Sequence, residues 1–313
     1  MLSAEATAMQ AYSPEQNAVL DALIRNRSPG WSFTGHLLGI SYDRIGDTNC
    51  MLRCASADHV LDDIGRVDFG AVAVLGDLAL GVCSREATGA SVRMATMSIG
   101  LTMHDAIGQG DLTARSQLSS YDPRTRISTS LARIFCGNSL LCTLNGVFKV
   151  LPAPEGLATL DPRFRSNDSV GEYQCSELTD LTDREARIYS RVAGTASASG
   201  QSFLSRFWGF EVKTSRAGAS GRVEIGPHIG NRVGHVQGGI LYAFAAEVAR
   251  VAAGGAFRLV SMHASYHRPG EGGVLCANAL RSYQGRTTSV INTAVTDGAG
   301  CTMLFAQSTY CRA

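Results

Sequence analysis

The sequence predicts an α+β fold made of two tandem copies of one unit, each a curved antiparallel sheet wrapped around a long central helix. Two observations carry this. A polar helix, an apolar helix and a series of strand-like runs occur in the same order twice along the chain. Each half also sets one apolar helix among many strands, which is the pattern of an antiparallel sheet and not of a βαβ alternation. A sheet that curls around such a helix buries it on most sides. The length of 313 residues, 45% of them hydrophobic, suits about two domains of ordinary size.

Each half opens with helix-start signals. Ser13-Pro14-Glu15 leads into Asn17–Ile24, and Thr182-Asp183-Arg184-Glu185 leads into Ile188–Val192. A glycine-centred strand is expected next, at Leu37-Leu38-Gly39-Ile40 and at Trp208-Gly209-Phe210, then a second strand at Cys50–Cys54 and Arg222–Ile225. The apolar helices follow near Gly70–Ser84 and Gly238–Ala253. Four strand-like runs come after each. They are Ala95–Met103, Asp111–Tyr121, Ile127–Phe135 and Ser139–Val150 in the first half, and Leu259–Tyr266, Gly273–Tyr283, Thr287–Thr296 and Cys301–Tyr310 in the second. The helix-start glycines Gly70 and Gly239 set a period of 169 residues. Pro152, Pro154 and Pro162 mark a connector, so the expected division is a domain at 1–150, a linker at 151–176 and a domain at 177–313.

Composition narrows the function. The 28 basic and 27 acidic residues leave a net charge of +1, and only Lys149 and Lys213 are lysines. No basic stripe suggests a nucleic-acid or anionic-membrane partner. The N-terminal stretch lacks the basic and apolar regions of a secretory signal, and the apolar runs are too short to span a bilayer. Nine irregularly spaced cysteines without a CxxC pair read as reduced thiols, so the expected location is the cytoplasm and no metal is expected.

Around the second apolar helix the sequence is Gly230-Asn231-Arg232-Val233-Gly234-His235-Val236-Gln237-Gly238-Gly239. With Tyr266-His267-Arg268-Pro269, Gly285-Arg286 and Asp297-Gly298 downstream, it resembles the hotdog-fold acyl-CoA thioesterases of the phenylacetate-pathway type, here in a tandem double-hotdog form. Gln237 stands where that family usually has His. The family's catalytic acid lies nine residues beyond that position. The second half has Ala246 there, whereas the first half, with Asp68-Phe69-Gly70 in place of His-Gly-Gly, has Asp77. Each copy thus lacks part of the family's site. The resemblance implies one composite site, with Asn231 and Gly238 polarising the thioester carbonyl and Asp77 activating water or attacking directly. Gln237 joins this catalytic set, and Thr96 supplies a hydroxyl beside Asp77. Gly239, Arg268 and His235 are the expected substrate-binding residues, Arg268 near the phosphate-bearing end of coenzyme A. The acyl chain is expected between the central helices. Coenzyme A enters only as part of the substrate, with no separate cofactor, and the fused unit is expected to form a dimer or trimer, as many hotdog proteins do.

The residues support the same chemistry on physical grounds. Asp77 lies in the apolar run Ala71–Val82, with Ala73, Val74, Leu80 and Gly81 as its helical neighbours. A buried acid without partners costs several kcal/mol, so it has tertiary hydrogen bonds or meets a cavity. Gly238-Gly239 opens a helix, where free N–H groups can hold an oxyanion. The bland readings stay open: a packing or capping role for Asp77, a tight turn for the glycines, a turn residue at Asn231, loop chemistry for His235 and a solvated arginine at Arg268. Glu247 is one residue past the family position and three before Arg250, which favours an ion pair. His263 and His267 share a strand face without a third ligand. Gly46-Asp47-Thr48-Asn49 resembles the start of a hotdog hydratase site but lacks its Pro and His, and reads as a strand turn. A hydratase or dehydratase acting on an acyl thioester, and a non-catalytic acyl-CoA binder, are the competing functions.

Overall fold

A computed structural model describes residues 12–28, 30–88, 92–152, 180–193 and 201–313. The first half contains α1 (Pro14–Asn26), α2 (Phe33–Leu37), β1 (Ile40–Ile45), β2 (Asn49–Cys54), α3 (Phe69–Glu86), β3 (Val92–Met103), β4 (Leu112–Asp122), β5 (Ile127–Cys136) and β6 (Ser139–Pro152). The second contains α4 (Asp183–Ala193), α5 (Phe203–Trp208), β7 (Glu211–Ser215), β8 (Gly218–Glu224), α6 (Gly238–Ala253), β9 (Phe257–Tyr266), β10 (Val274–Gln284), β11 (Thr288–Asp297) and β12 (Thr302–Arg312). Apart from its first two residues, which end β6, the expected linker 151–176 lies outside the described residues.

The strands form one antiparallel sheet in the order β1-β2-β4-β5-β6-β3-β9-β12-β11-β10-β8-β7. Each half is the mirror of the other in this order, and they join where β3 pairs with β9, from Ser98 opposite Ser265 to Thr102 opposite Ser261. Each half wraps its own helix, α3 or α6, so the chain is a tandem hotdog fold. Alternation along the strands supplies the two faces: in β5, Ala132 and Ile134 are buried while Leu131 and Arg133 face out. The two helices also meet each other. A methyl group built on Gly239 would lie 2.6 Å from Val74 Cα, so only glycine admits α6 this close to the α3 backbone.

The start signals act as capping chemistry. Ser13 and Gln16 form a reciprocal capping box at α1. Thr182 and Glu185 do the same at α4, and Glu185 also takes the Arg27 guanidinium at 2.8 Å. The glycine-centred strands are a correction. Leu37 ends α2 and Gly39, at φ +59°, turns the chain into β1; Trp208 ends α5 and Gly209, at φ +81°, caps it. Both glycines take the left-handed conformation that terminates a helix. Gly46 N–H bonds to Asn49 O and closes the β1–β2 hairpin, so this segment is a strand turn.

Candidate active site

The loops that lead into α3 and α6 are built to one plan. In the second, Asn231 Oδ1 accepts from the Val233 and His235 amides, and Gly234 sits at φ +85°. In the first, Asp62 Oδ1 accepts from the Ile64 and Arg66 amides, and Gly65 sits at φ +77°. Val236 N–H bonds to Gly270 O as Val67 N–H bonds to Gly108 O. The turn uses one acceptor oxygen two residues before the first amide and four before the second, which Asn supplies in one loop and Asp in the other. Asn231 Oδ1 is therefore committed to the loop.

Each loop ends on the N-cap of its helix. Asp68 caps α3 by accepting from Gly70 N–H at 2.6 Å. Gln237 caps α6 with Oε1, which accepts from Ile240 N–H at 2.8 Å. That choice turns the Gln237 amide nitrogen toward the other half, where Nε2 donates to Asp77 Oδ2 at 2.8 Å. Gly239 N–H donates to the same oxygen at 3.0 Å, and Thr96 Oγ1 to Asp77 Oδ1 at 3.1 Å. A methyl group on Gly238 would lie 2.8 Å from Asp77 Oδ2 and 3.2 Å from Cγ, so the carboxylate sits directly against this glycine. Gly238 N–H, at the first helical position, meets no acceptor among the described residues.

Asp77 is 7% exposed and has no cation beside it among the described residues. Burial pushes its carboxyl up to about 6, against the hydrogen bonds from Thr96, Gly239 and Gln237, which favour the ionised form. Its two oxygens offer about four acceptor positions, of which three are filled. The open one is on Oδ1, beside the half-buried Thr96.

The related position in the other half carries different residues. Ala246 replaces the acid, and Asp68 stands where Gln237 would be. His104 N–H bonds to Leu141 O as His267 N–H bonds to Met303 O, and β3 and β9 carry matching irregularities at Met97 and Val260. In that register Leu259 takes the place of Thr96. Phe69 stands where Gly238 would be and stacks on Tyr242, and a methyl on Gly70 would run into the Trp208 ring at 2.5 Å.

The remaining expected residues make no hydrogen bond to Asp77 among the described residues. His235 pairs with Glu271 at 2.8 Å, and Glu247 with Arg250 at 2.7 Å. Arg268 is exposed on the turn after β9, with no side-chain bond to Asp77, Gln237 or Gly238. At Gly239 the two helices meet backbone to backbone, at Val74, so an acyl chain does not pass between them at that point. Tyr266, which is in the Tyr-His-Arg-Pro motif but not among the expected site residues, donates its hydroxyl to Gly238 O at 2.9 Å. Among the described residues no group of three or more His, Cys, Asp or Glu is placed to hold a metal ion, and no helix is long and apolar enough to cross a membrane.

Fold and geometry together give a tandem hotdog chain in which a buried carboxylate of the first half accepts from donors of the second. Comparison with solved structures bears on the fold. A tesB protein from Mycobacterium avium subspecies paratuberculosis matches 96% of this chain and 100% of its own, with TM-score 0.55 and 11% identity. A protein provisionally named an oleoyl thioesterase, from Lactobacillus plantarum, matches 85% of this chain and 97% of its own, with TM-score 0.54 and 9% identity. A provisionally named thioesterase from Novosphingobium aromaticivorans matches 87% and 98%, with TM-score 0.53 and 10% identity. At such identities the shared property is the fold. No protein-family model matches the sequence, and no curated protein is significantly similar to it.

Proposed function

We propose that the chain is an acyl-CoA thioesterase that hydrolyses its substrate at the site shared by Asp77 and Gly238. The observation that carries this reading is a buried carboxylate from one half, held in part by donors from the other, next to a helix-start amide that meets no acceptor among the described residues. The thioester carbonyl oxygen accepts from Gly238 N–H, which faces the oxyanion as the carbonyl carbon becomes tetrahedral; in other enzymes one such donor is worth about 2.7–4 kcal/mol. Asp77, ionised above about pH 6, takes a proton from water at Oδ1 as the water oxygen bonds to the carbonyl carbon. The C–S bond then breaks, and the departing thiolate takes the proton. Gln237 and Thr96 fix the carboxylate plane, so the open Oδ1 position has one direction.

The domain division at 1–150 and 177–313 belongs to this reading. A fused pair can keep one composite site and lose the other, and Ala246, Leu259 and Phe69 are what such a loss leaves behind. The fold matches, two of them to proteins with thioesterase names, support the substrate class by analogy alone. The test is incubation with a panel of acyl-CoAs, with free CoA and acyl products followed by chromatography for the native protein and for Asp77→Asn. Free CoA and free acid that vanish in the variant support hydrolysis. A new or lost double bond with the thioester intact supports a hydratase, and saturable binding without turnover supports a binding protein.

A further inference from the structure

Tyr266 ends β9, and its hydroxyl donates to the Gly238 carbonyl at 2.9 Å. The peptide that accepts this bond runs from Gly238 C=O to Gly239 N–H, and that N–H donates to Asp77 Oδ2 at 3.0 Å. One planar amide therefore links the phenol to the carboxylate. A donor on the amide oxygen draws electron density from nitrogen, which makes the N–H a stronger donor; hydrogen bonds arranged in series strengthen one another in this way. We propose that Tyr266 is a positioning residue that stabilises the Asp77 carboxylate and fixes the Gly238 amide through the Gly238–Gly239 peptide. The proposal rests on Asp77 and Gly238 being the working pair described above.

The related position supplies a comparison inside the same chain. In the register set by His104 and His267, Met103 takes the place of Tyr266, and it can donate nothing to the Phe69 carbonyl. The phenol is thus retained in the half whose amides face an acid and missing where Ala246 has replaced that acid. Tyr266 stays a donor through the working pH range, because burial, helped by the nearby Asp77 and Tyr242, raises its hydroxyl well above 10. The groups that face Asp77 are Thr96 from β3, Gln237 from the α6 cap, Gly239 from α6 and Tyr266 from β9, and no charged side chain acts on it among the described residues. A change at Tyr266 is therefore read at Asp77 without a competing ion.

The experiment titrates the Asp77 carboxyl carbon by NMR in the full-length protein labelled with carboxyl-13C aspartate, using Asp77→Asn to identify the signal. In Tyr266→Phe the Asp77 midpoint is expected to rise by about 0.3–0.7 of a pH unit, the size of a modest cooperative loss in one charged hydrogen bond. Site-specific 3-fluorotyrosine at position 266, a more acidic phenol of nearly the same shape, is expected to lower it and keeps the test open if Tyr266→Phe does not fold. Acyl-CoA hydrolysis measured alongside should show its acid limb moving with the midpoint, and kcat falling more than KM changes. An unmoved Asp77 midpoint in a folded variant overturns the relay, and Tyr266 is then a packing residue. The functional reading fails separately: a midpoint that moves in a protein that hydrolyses no acyl-CoA leaves the relay standing and removes the thioesterase.

Discussion

Gln237 Nε2 donates to Asp77 Oδ2 across 2.8 Å although 160 positions of sequence separate the two residues. The same side chain caps α6 with its oxygen, so one amide joins a helix terminus in the second half to an acid in the middle of a helix in the first. An acid in that position burdens the fold, and the predictions follow from what holds it there.

Asp77→Asn should cut turnover steeply and stabilise the protein. The folded-state value near 6 lies above the ordinary 3.8, so the folded state binds more protons than the unfolded state between those values. Stability linked to this group is then fully present below about pH 4 and is lost as pH rises through about 6; at neutral pH the loss is on the order of 3 kcal/mol. The asparagine carries no such loss and can keep its partners. Thermal melts should show the variant above the native protein at pH 7.5, with the gap closing towards pH 4. Activity should fall by about 100-fold to 10,000-fold, the range for loss of a general base.

The rate of hydrolysis should rise through about pH 6 as Asp77 ionises. Thr96→Val removes the first of the bonds that favour the ionised form, so its acid limb should lie at higher pH, with a lower rate on the plateau. A pH–kcat/KM profile measures both. A limb unmoved in Thr96→Val would show that the hydroxyl does not act on Asp77.

The two glycines should differ in what they damage. A methyl at Gly238 meets the Asp77 carboxylate at 2.8 Å, whereas one at Gly239 meets the α3 backbone at 2.6 Å, where nothing yields. Gly239→Ala should therefore destabilise by about 1–3 kcal/mol or more, as overpacking does. Gly238→Ala should keep more of the stability and lose activity by displacing the acid. Urea denaturation and steady-state kinetics on both variants separate the effects.

Ala246→Asp should not restore a second site. The new carboxylate would enter a position that is 4% exposed, with Leu259 in place of the hydroxyl and Asp68 in place of the amide donor. Burying a charge without donors costs several kcal/mol, so the melting temperature should drop with no gain in rate. Glu247→Ala, which removes only a partly exposed ion pair with Arg250, should change stability by about 1 kcal/mol or less and leave turnover unchanged.

The long elements were legible because their periodicities run far enough to declare themselves. The eight strands after the central helices appear within about three residues of where alternation and turn residues put them. The short elements were not. Leu37–Ile40 is an apolar run that suits a buried strand as well as a helix end, and only the left-handed Gly39 separates the two. The neighbourhood of Asp77 and Gly238 was readable through motif spacing in two unlike halves. The loop was harder: matching by residue identity found Asn231 without a counterpart, whereas the turn needs only an acceptor oxygen and Asp62 provides it. Tyr266 escaped because its bond is made to a backbone carbonyl, which no side-chain pattern records.

In the proposed complex an acyl thioester sits with its carbonyl on Gly238 and its carbon in reach of water on Asp77. A crystal structure of the Asp77→Asn protein with a substrate acyl-CoA tests this most directly. The carbonyl oxygen is expected at about 3 Å from Gly238 N, the spacing of a hydrogen bond, with the substituted side chain beside the carbonyl carbon. A thioester bound away from Gly238, or one held there with its carbonyl turned from the amide, would contradict it.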